Sequence, residues 1–390
     1  MVTPRTNLTR RVLAALDASP SRIPVLVGGC GSGRTTLLHQ IRERLGRTGA
    51  LYIDVERSAT TPERFLKAIA AISPFPITEP APANARAAFD TTLSFLTRAK
   101  NGSGEPVTIL LDEFLELRTF ESFPGLRRVL YELVDGLTTS GNRFVLTSRY
   151  VARTLRLLRD RSARFEVIHM PAMTTEDTLD ILAQAAGRPI DASLGASQEA
   201  DLLARTVQSL GDGRPAYIRA MAEELAQMRQ QGRGGPAAAD PIGALAALMD
   251  TEGRLARLCH FTYELRLHRA RGYGALKAIL EILGEEEGLT LTEISQRLQR
   301  TPGSTKDYLS WLEDVDLVTA RQKRYSYSDP LLRAWVRLHC RANAPTEDDL
   351  AREVHRYALP RLPQQQDPQS APAEAAYAMT AAPSAIIEID

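Results

Sequence analysis

At 390 residues the chain exceeds one ordinary domain, and a 44% hydrophobic content is enough for two or three cores. Lys+Arg 48 against Asp+Glu 47 leaves a net charge of +1, which excludes a chain-wide attraction to nucleic acid or membrane and confines any such binding to a local patch. Cys30, Cys259 and Cys340 lie too far apart in sequence for a disulfide framework or a paired metal motif, no apolar run nears the ~18 residues that span a bilayer, and the arginine-bearing first residues lack a secretory core, so a soluble, cytoplasmic protein is expected.

Residues 6–18 read as an amphipathic helix with Leu8, Val12, Leu13 and Leu16 on one face. The apolar run 23–27 reads as a buried strand that feeds Gly28-Gly29-Cys30-Gly31-Ser32-Gly33-Arg34-Thr35-Thr36. This is a phosphate-binding pattern of the form G-x-x-x-x-G-K-[ST], with Arg34 standing where lysine is expected. The N–H groups of such a loop, from Gly28 through Gly29, Gly31, Ser32 and Gly33 to Thr36, converge on phosphate oxygens, and glycine permits the positive φ that this needs. The helix 35–47 turns its positive N-terminal end toward the same anion, with the Thr35 hydroxyl as candidate Mg²⁺ ligand. Arg34 keeps the charge of the missing lysine but carries it on a planar fork, which suits grip on phosphate better than the point-charge alignment that fast hydrolysis needs.

A strand at 50–55, a helix opened by Thr60-Thr61-Pro62-Glu63 and a helix at 85–100 capped by Asn84 come next. The strand 107–114 then runs into Asp112-Glu113. A carboxylate pair at the carboxyl end of a buried strand places Asp112 to hold Mg²⁺ through water and Glu113 to polarise an attacking water. A helix at 123–138, a strand at 143–149 with Thr147 and Ser148 at its end, a helix at 151–158 and a strand at 165–170 complete the alternation. Short apolar strands between helices predict an α/β core with a five-stranded parallel sheet buried on both faces.

The order of phosphate loop, Asp-Glu strand, polar strand end and an arginine before the fifth strand resembles the AAA+ superfamily of P-loop ATPases. Within it the chain is similar to the branch of archaeal-type, origin-recognition and STAND ATPases. The resemblance implies ATP and Mg²⁺ as cofactors and Thr147 or Ser148 as the sensor of the γ-phosphate. It also implies a homo-oligomer in which Arg164, with Arg161 or Arg149 as alternatives, is the finger offered to a neighbouring subunit. From residue 174 the pattern is all-helical, with helices at 175–186, 197–210 and 215–228. Gly211-Asp212-Gly213-Arg214-Pro215 resembles the glycine-x-proline motif with which this branch brings a lid helix over the nucleotide, Pro215 presetting the helix and Arg219, one turn in, acting as a second sensor.

Residues 231–241 form a linker by composition, helices cover 242–268, and 271–340 has a winged-helix layout. Its helices fall at 273–283, 292–298 and 304–312, with a turn at 301–303 and a two-stranded wing at 317–328 turning at Arg321-Gln322-Lys323-Arg324. The Asp329-Pro330 step before a Trp335-bearing helix resembles the tail of the archaeal-type ATPases. On the third helix Lys306 is outweighed by Asp307, Glu313 and Asp314, so the wing basic residues Arg321, Lys323 and Arg324 are the candidate contact for duplex DNA, with a regulatory or protein-binding role as the other reading. From residue 360 Pro, Gln and Ala dominate, and a disordered tail ending in the apolar Ile386-Ile387-Glu388-Ile389 is expected. The predicted plan is a P-loop core (1–172), a helical lid (173–230), the linker, a helical and winged-helix domain (242–359) and the tail. The expected function is a nucleotide switch whose slow ATP hydrolysis moves the winged helix. Its rivals are an ATP-binding regulator without turnover, which Arg34 favours, and a DNA-dependent loader.

Overall fold

The computed structural model describes residues 5–46, 49–77, 82–187, 194–231, 240–267, 272–341 and 343–363. Strands β1 (Ile23–Val27), β2 (Ala50–Asp54), β3 (Thr108–Asp112), β4 (Arg143–Ser148) and β5 (Phe165–His169) form one parallel sheet in the order β2-β3-β4-β1-β5. Every residue of β1 and β3 is buried, including Pro24, Thr108 and Asp112 beside the Ile, Val and Leu that dominate them, as strands covered on both faces require. The period of two divides the sheet: Leu26, Leu110, Val145 and Ile168 face one layer, while Val25, Val27, Ile109, Leu111 and Leu146 face the other. The first layer is α1 (Thr6–Leu16) and α2 (Arg34–Leu45). The second holds α3 (Val55–Ser58), α4 (Pro62–Ile72), α5 (Ala85–Arg98), α6 (Val129–Thr139) and α7 (Val151–Leu158).

The register sets Val27 beside Ser148 and Asp54 beside Asp112. Loops after β1, β3 and β4 therefore leave the sheet side by side at its carboxyl edge, where α/β folds place ligands. After β3 the core differs from the sequence expectation. The helix expected at 123–138 starts only at Val129, and a 3₁₀ helix fills Phe114–Ser122. Pro124 and Gly125, the latter at φ 77°, break the backbone between them.

The sheet is followed by α8 (Thr175–Ala186), α9 (Leu194–Leu210) and α10 (Pro215–Gln230), then by α11 (Pro241–Met249) and α12 (Arg254–Leu267). The C-terminal unit runs α13 (Tyr273–Glu285), β6 (Leu289–Thr290), α14 (Leu291–Leu298), α15 (Pro302–Asp314), β7 (Val318–Arg321) and β8 (Arg324–Tyr327), with an antiparallel sheet in the order β6-β8-β7. This is the winged-helix order, and it closes with α16 (Pro330–His339) and α17 (Glu347–Ala358). The residues expected as a turn at 301–303 open α15 instead, with Thr301 as N-cap and Pro302 in the first turn. Gln322 and Lys323, at φ 51° and 63°, make the tight wing turn. No helix among the described residues is long and apolar enough to cross a membrane. Most of the expected linker and tail, including Ile386, Ile387 and Ile389, lies outside the described residues.

Candidate functional site

Gly31 and Gly33, at φ 77° and 86°, supply the left-handed conformations of the phosphate loop, while Gly28 and Gly29 do not. A Cβ on Gly31 would meet that of Ala216 at 2.9 Å, so the loop is glycine where the lid helix lies against it. The Ala216 N–H donates to the Gly31 carbonyl at 3.2 Å. Gly33 is the N-cap of α2 and offers no side-chain acceptor, which leaves the first-turn amides of Arg34, Thr35 and Thr36 facing outward. They open into a cavity of about 400 Å³ that Gly31, Ser32, Gly33, Thr35 and Thr36 share with Pro215 and Arg219 of α10. Sequence positions about 180 apart thus converge on one cavity. Gly28 and Gly29 are outside the cavity wall, and Arg5 and Arg254 join it without any motif to signal them.

Arg34 also lines this cavity but is largely buried, its guanidinium folded back onto the chain. Its Nη1 donates to the carbonyls of Gly28 and Gly29, the latter at 2.6 Å, and to Ser32 Oγ at 2.9 Å. Its Nη2 meets Glu113 Oε1 at 2.6 Å. Glu113 Oε2 accepts the Arg149 backbone N–H at 2.9 Å and lies 3.3 Å from Arg149 Nε. Burial pushes the Glu113 carboxyl up, yet Arg34 and Arg149 together outweigh it and hold the group below the ordinary range. Glu113 also sits at φ 56°, a conformation that costs a non-glycine residue about 1 kcal/mol. The Thr147 hydroxyl secures it by accepting the Glu113 N–H at 2.9 Å while donating to Asp112 Oδ1 at 2.5 Å. Tyr52 donates to the other Asp112 oxygen at 2.9 Å. Ser148 instead accepts the Tyr150 N–H at 3.0 Å and shapes the exit of β4.

The three finger candidates are engaged inside their own chain. Arg164 lies before β5, at the amino edge of the sheet opposite the cavity. It donates to the carbonyls of Ser21, Thr138 and Ser140 and to Ser21 Oγ at 2.5–3.1 Å, tying the end of α6 to the entry of β1. The donors of Arg164, expected as a finger, saturate carbonyls that its own chain leaves open there. Arg161 pairs with Asp135 at 3.0 Å and lies over Tyr131, and Arg149 bridges Glu113 and Glu56.

A junction with no single sequence motif lies behind the loop. Asp329 caps α16 through the Leu331 and Leu332 N–H groups and also accepts Arg214 Nη1 and Tyr217 Oη, each at 2.6 Å. The same Arg214 nitrogen reaches the Cys30 carbonyl at 3.5 Å. Asp316 caps α7 by accepting the Val151 and Ala152 N–H groups, and its own carbonyl accepts Arg266 Nη1 at 2.6 Å. Asp314 at the end of α15 pairs with Arg156 of α7. The C-terminal unit is therefore fastened to loop, lid and core at once, and one end of its third helix rests on the core.

No protein-family model and no curated protein sequence matches the chain. Among solved structures it is similar to a Walker-type ATPase of Pyrococcus abyssi, with a TM-score of 0.60 at 17% identity, over 86% of this chain and 96% of that one. It is similar at lower TM-scores to the Orc1 protein of Aeropyrum pernix in complex with DNA (0.46, 17% identity, 85% of this chain and 91% of that one). The same holds for the RuvB of Thermotoga maritima (0.42, 16% identity, 83% and 92%). Sheet order, loop placement and the first of these likenesses agree: this chain has the fold of the AAA+ P-loop ATPases, with a C-terminal domain.

Proposed function

We propose that the chain is a nucleotide switch that binds ATP with Mg²⁺ between the phosphate loop and the lid, and turns it over slowly. The observation that carries this is the cavity in which the uncapped first turn of α2 faces the start of α10. Open amides at a helix N-terminus fit phosphate oxygens, and the Arg219 guanidinium adds charge from the lid side. The donor set for the metal also fits: the exposed Thr35 hydroxyl stands at the loop, and Asp112, its oxygens held by Thr147 and Tyr52, would act through water. Bound Mg²⁺ would supply neutralisation of the phosphate charge.

The residues of the chain set the pace. Glu113 is held ionised, as a base must be, but its carboxylate is locked between two guanidiniums. Hydrolysis requires Arg34 to release Glu113 and turn its fork from the loop carbonyls toward phosphate. A buried ion pair resists that exchange, which supports slow rather than fast turnover. Closure on nucleotide would draw on Pro215 and Arg219, and Arg214 would pass the movement to Asp329 in the C-terminal domain.

ATP binding and phosphate release, measured on wild type, Arg34→Ala and Glu113→Gln with and without duplex DNA, test the reading. Binding by wild type, with turnover lost in Glu113→Gln while affinity is kept, is the expected result. Equal phosphate release from wild type and Glu113→Gln would favour the non-hydrolysing regulator, and strong stimulation by DNA the loader. Absence of ATP binding in wild type would overturn the proposal.

A further inference from the structure

The wing hairpin, α16, α17 and the residues just after α17 line a second, open cavity of about 440 Å³, separate from the phosphate loop. Thr319 and Arg321 on β7 face it together with their cross-strand neighbours Ser326 and Arg324 on β8, as strand alternation dictates. Arg333 and Arg337 of α16 form a second wall, and Arg356 and Arg361 a third. Six guanidiniums around one hollow repel one another unless anions compensate them.

The compensation inside the chain is incomplete. Arg333 pairs with Glu287 and Arg337 with Glu353, each at 3.0 Å, and Asp212 faces Arg214 at 3.4 Å. These pairs account for every carboxylate on the wall. Among the described residues, Arg321, Arg324, Arg356 and Arg361 have no carboxylate within ion-pair distance. Arg324 and Arg361 are steered by single bonds to the carbonyls of Gly288 at 2.6 Å and Tyr357 at 2.8 Å, which fix their direction and leave other donors free. Arg361 is further held over the Tyr357 ring at 4.1 Å.

We infer that this cavity is a binding site for a compact polyanion, a small molecule carrying two or more phosphates, held by Arg321, Arg324, Arg356 and Arg361. Planar forks approaching from opposite walls match phosphate oxygens bidentately. Guanidiniums converging from separate walls on a hollow of about 440 Å³ suit a small ligand better than a duplex, whose backbone would meet the exposed wing tip at Lys323 instead. Lys323 is outside the cavity wall, so the two readings use different residues.

The test is pyrophosphate titration calorimetry on the full chain, comparing wild type with Arg321→Gln/Arg356→Gln, Lys323→Gln and the loop variant Gly33→Val. Arg321 and Arg356 are exposed, so their replacement leaves the fold intact, which circular dichroism checks. The expected result is that the double variant weakens pyrophosphate binding at one site at least tenfold, while Lys323→Gln leaves that site unchanged. Gly33→Val should keep it too, and lose only binding at the phosphate loop. Binding that disappears with Gly33→Val and ignores the double variant overturns the inference. So does a duplex-DNA affinity that the double variant and Lys323→Gln lower alike, with pyrophosphate unable to compete. Failure of ATP binding at the loop would leave this site standing, so the two proposals fail separately.

Discussion

Arg34 and Glu113 each keep less than a tenth of their side chain exposed and meet at 2.6 Å, so neither charge has water to fall back on. Removing one partner of such a pair leaves an uncompensated buried charge, at a cost of about 3–5 kcal/mol. Arg149 remains for Glu113, which sets Arg34→Ala toward the lower end of that range. A double-mutant cycle on Arg34→Ala and Glu113→Ala, read by chemical denaturation, should show coupling of about 2 kcal/mol. Additivity to within about 0.5 kcal/mol would mean that the two groups do not interact. Because the folded Glu113 carboxyl is held below its ordinary range, its contribution is present above that range and lost as pH falls through the folded value. Arg34→Lys restores a point charge and cannot span Glu113 and the loop carbonyls together. Phosphate release should rise about tenfold, a change of roughly 1.4 kcal/mol in barrier, and an unchanged rate would separate slow turnover from this pair.

At the scale of elements, α7 shows how a cap can come from far along the chain. Its N-cap, Tyr150, has no side-chain cap bond, and Asp316 of the C-terminal unit supplies the acceptors. Burial pushes the Asp316 carboxyl up to about 6, with Arg266 and the two α7 amides offsetting only part of it. The folded chain therefore holds this proton more tightly than the unfolded chain. The resulting stability is full below about pH 4, the ordinary carboxyl range, and declines as pH rises through 6. Asp316→Asn removes the titration and keeps one acceptor. Its Tm relative to wild type should climb between pH 4.5 and 7.5, equivalent to no more than about 3 kcal/mol. A difference that stays flat with pH would rule out a buried, titrating Asp316. The phosphate loop obeys an equally local geometry: Gly31→Ala places a methyl 2.9 Å from Ala216 at φ 77°, and should loosen loop and lid together.

Across the whole molecule, Asp329 joins the C-terminal domain to the lid loop, and through Arg214 to the phosphate loop. Asp329→Ala removes an α16 cap worth about 1 kcal/mol and leaves the Arg214 guanidinium without its nearest anion, so destabilisation of about 3 kcal/mol or more is expected. Hydrogen exchange should accelerate in residues 211–217 ahead of global unfolding, and protection as in wild type there would show that the junction carries no load. What the sequence alone determined is what short windows encode. Apolar runs marked the five strands, glycine spacing marked the loop, Pro215 marked the lid helix, and the strand exit at Asp112 and Glu113 marked the edge where they meet. The 3₁₀ stretch after Glu113 was not legible, because it follows from one left-handed residue and from packing of Phe114 and Phe120 rather than from a period. Only the tertiary structure decided where the guanidiniums point. Arg34 finds its carboxylate 79 residues away and Arg214 finds Asp329 at a separation of 115, while Arg164 is drawn to backbone carbonyls before the fifth strand. A long cationic side chain takes whichever buried acceptor the fold brings within reach, and that choice is made by topology, not by neighbours in sequence.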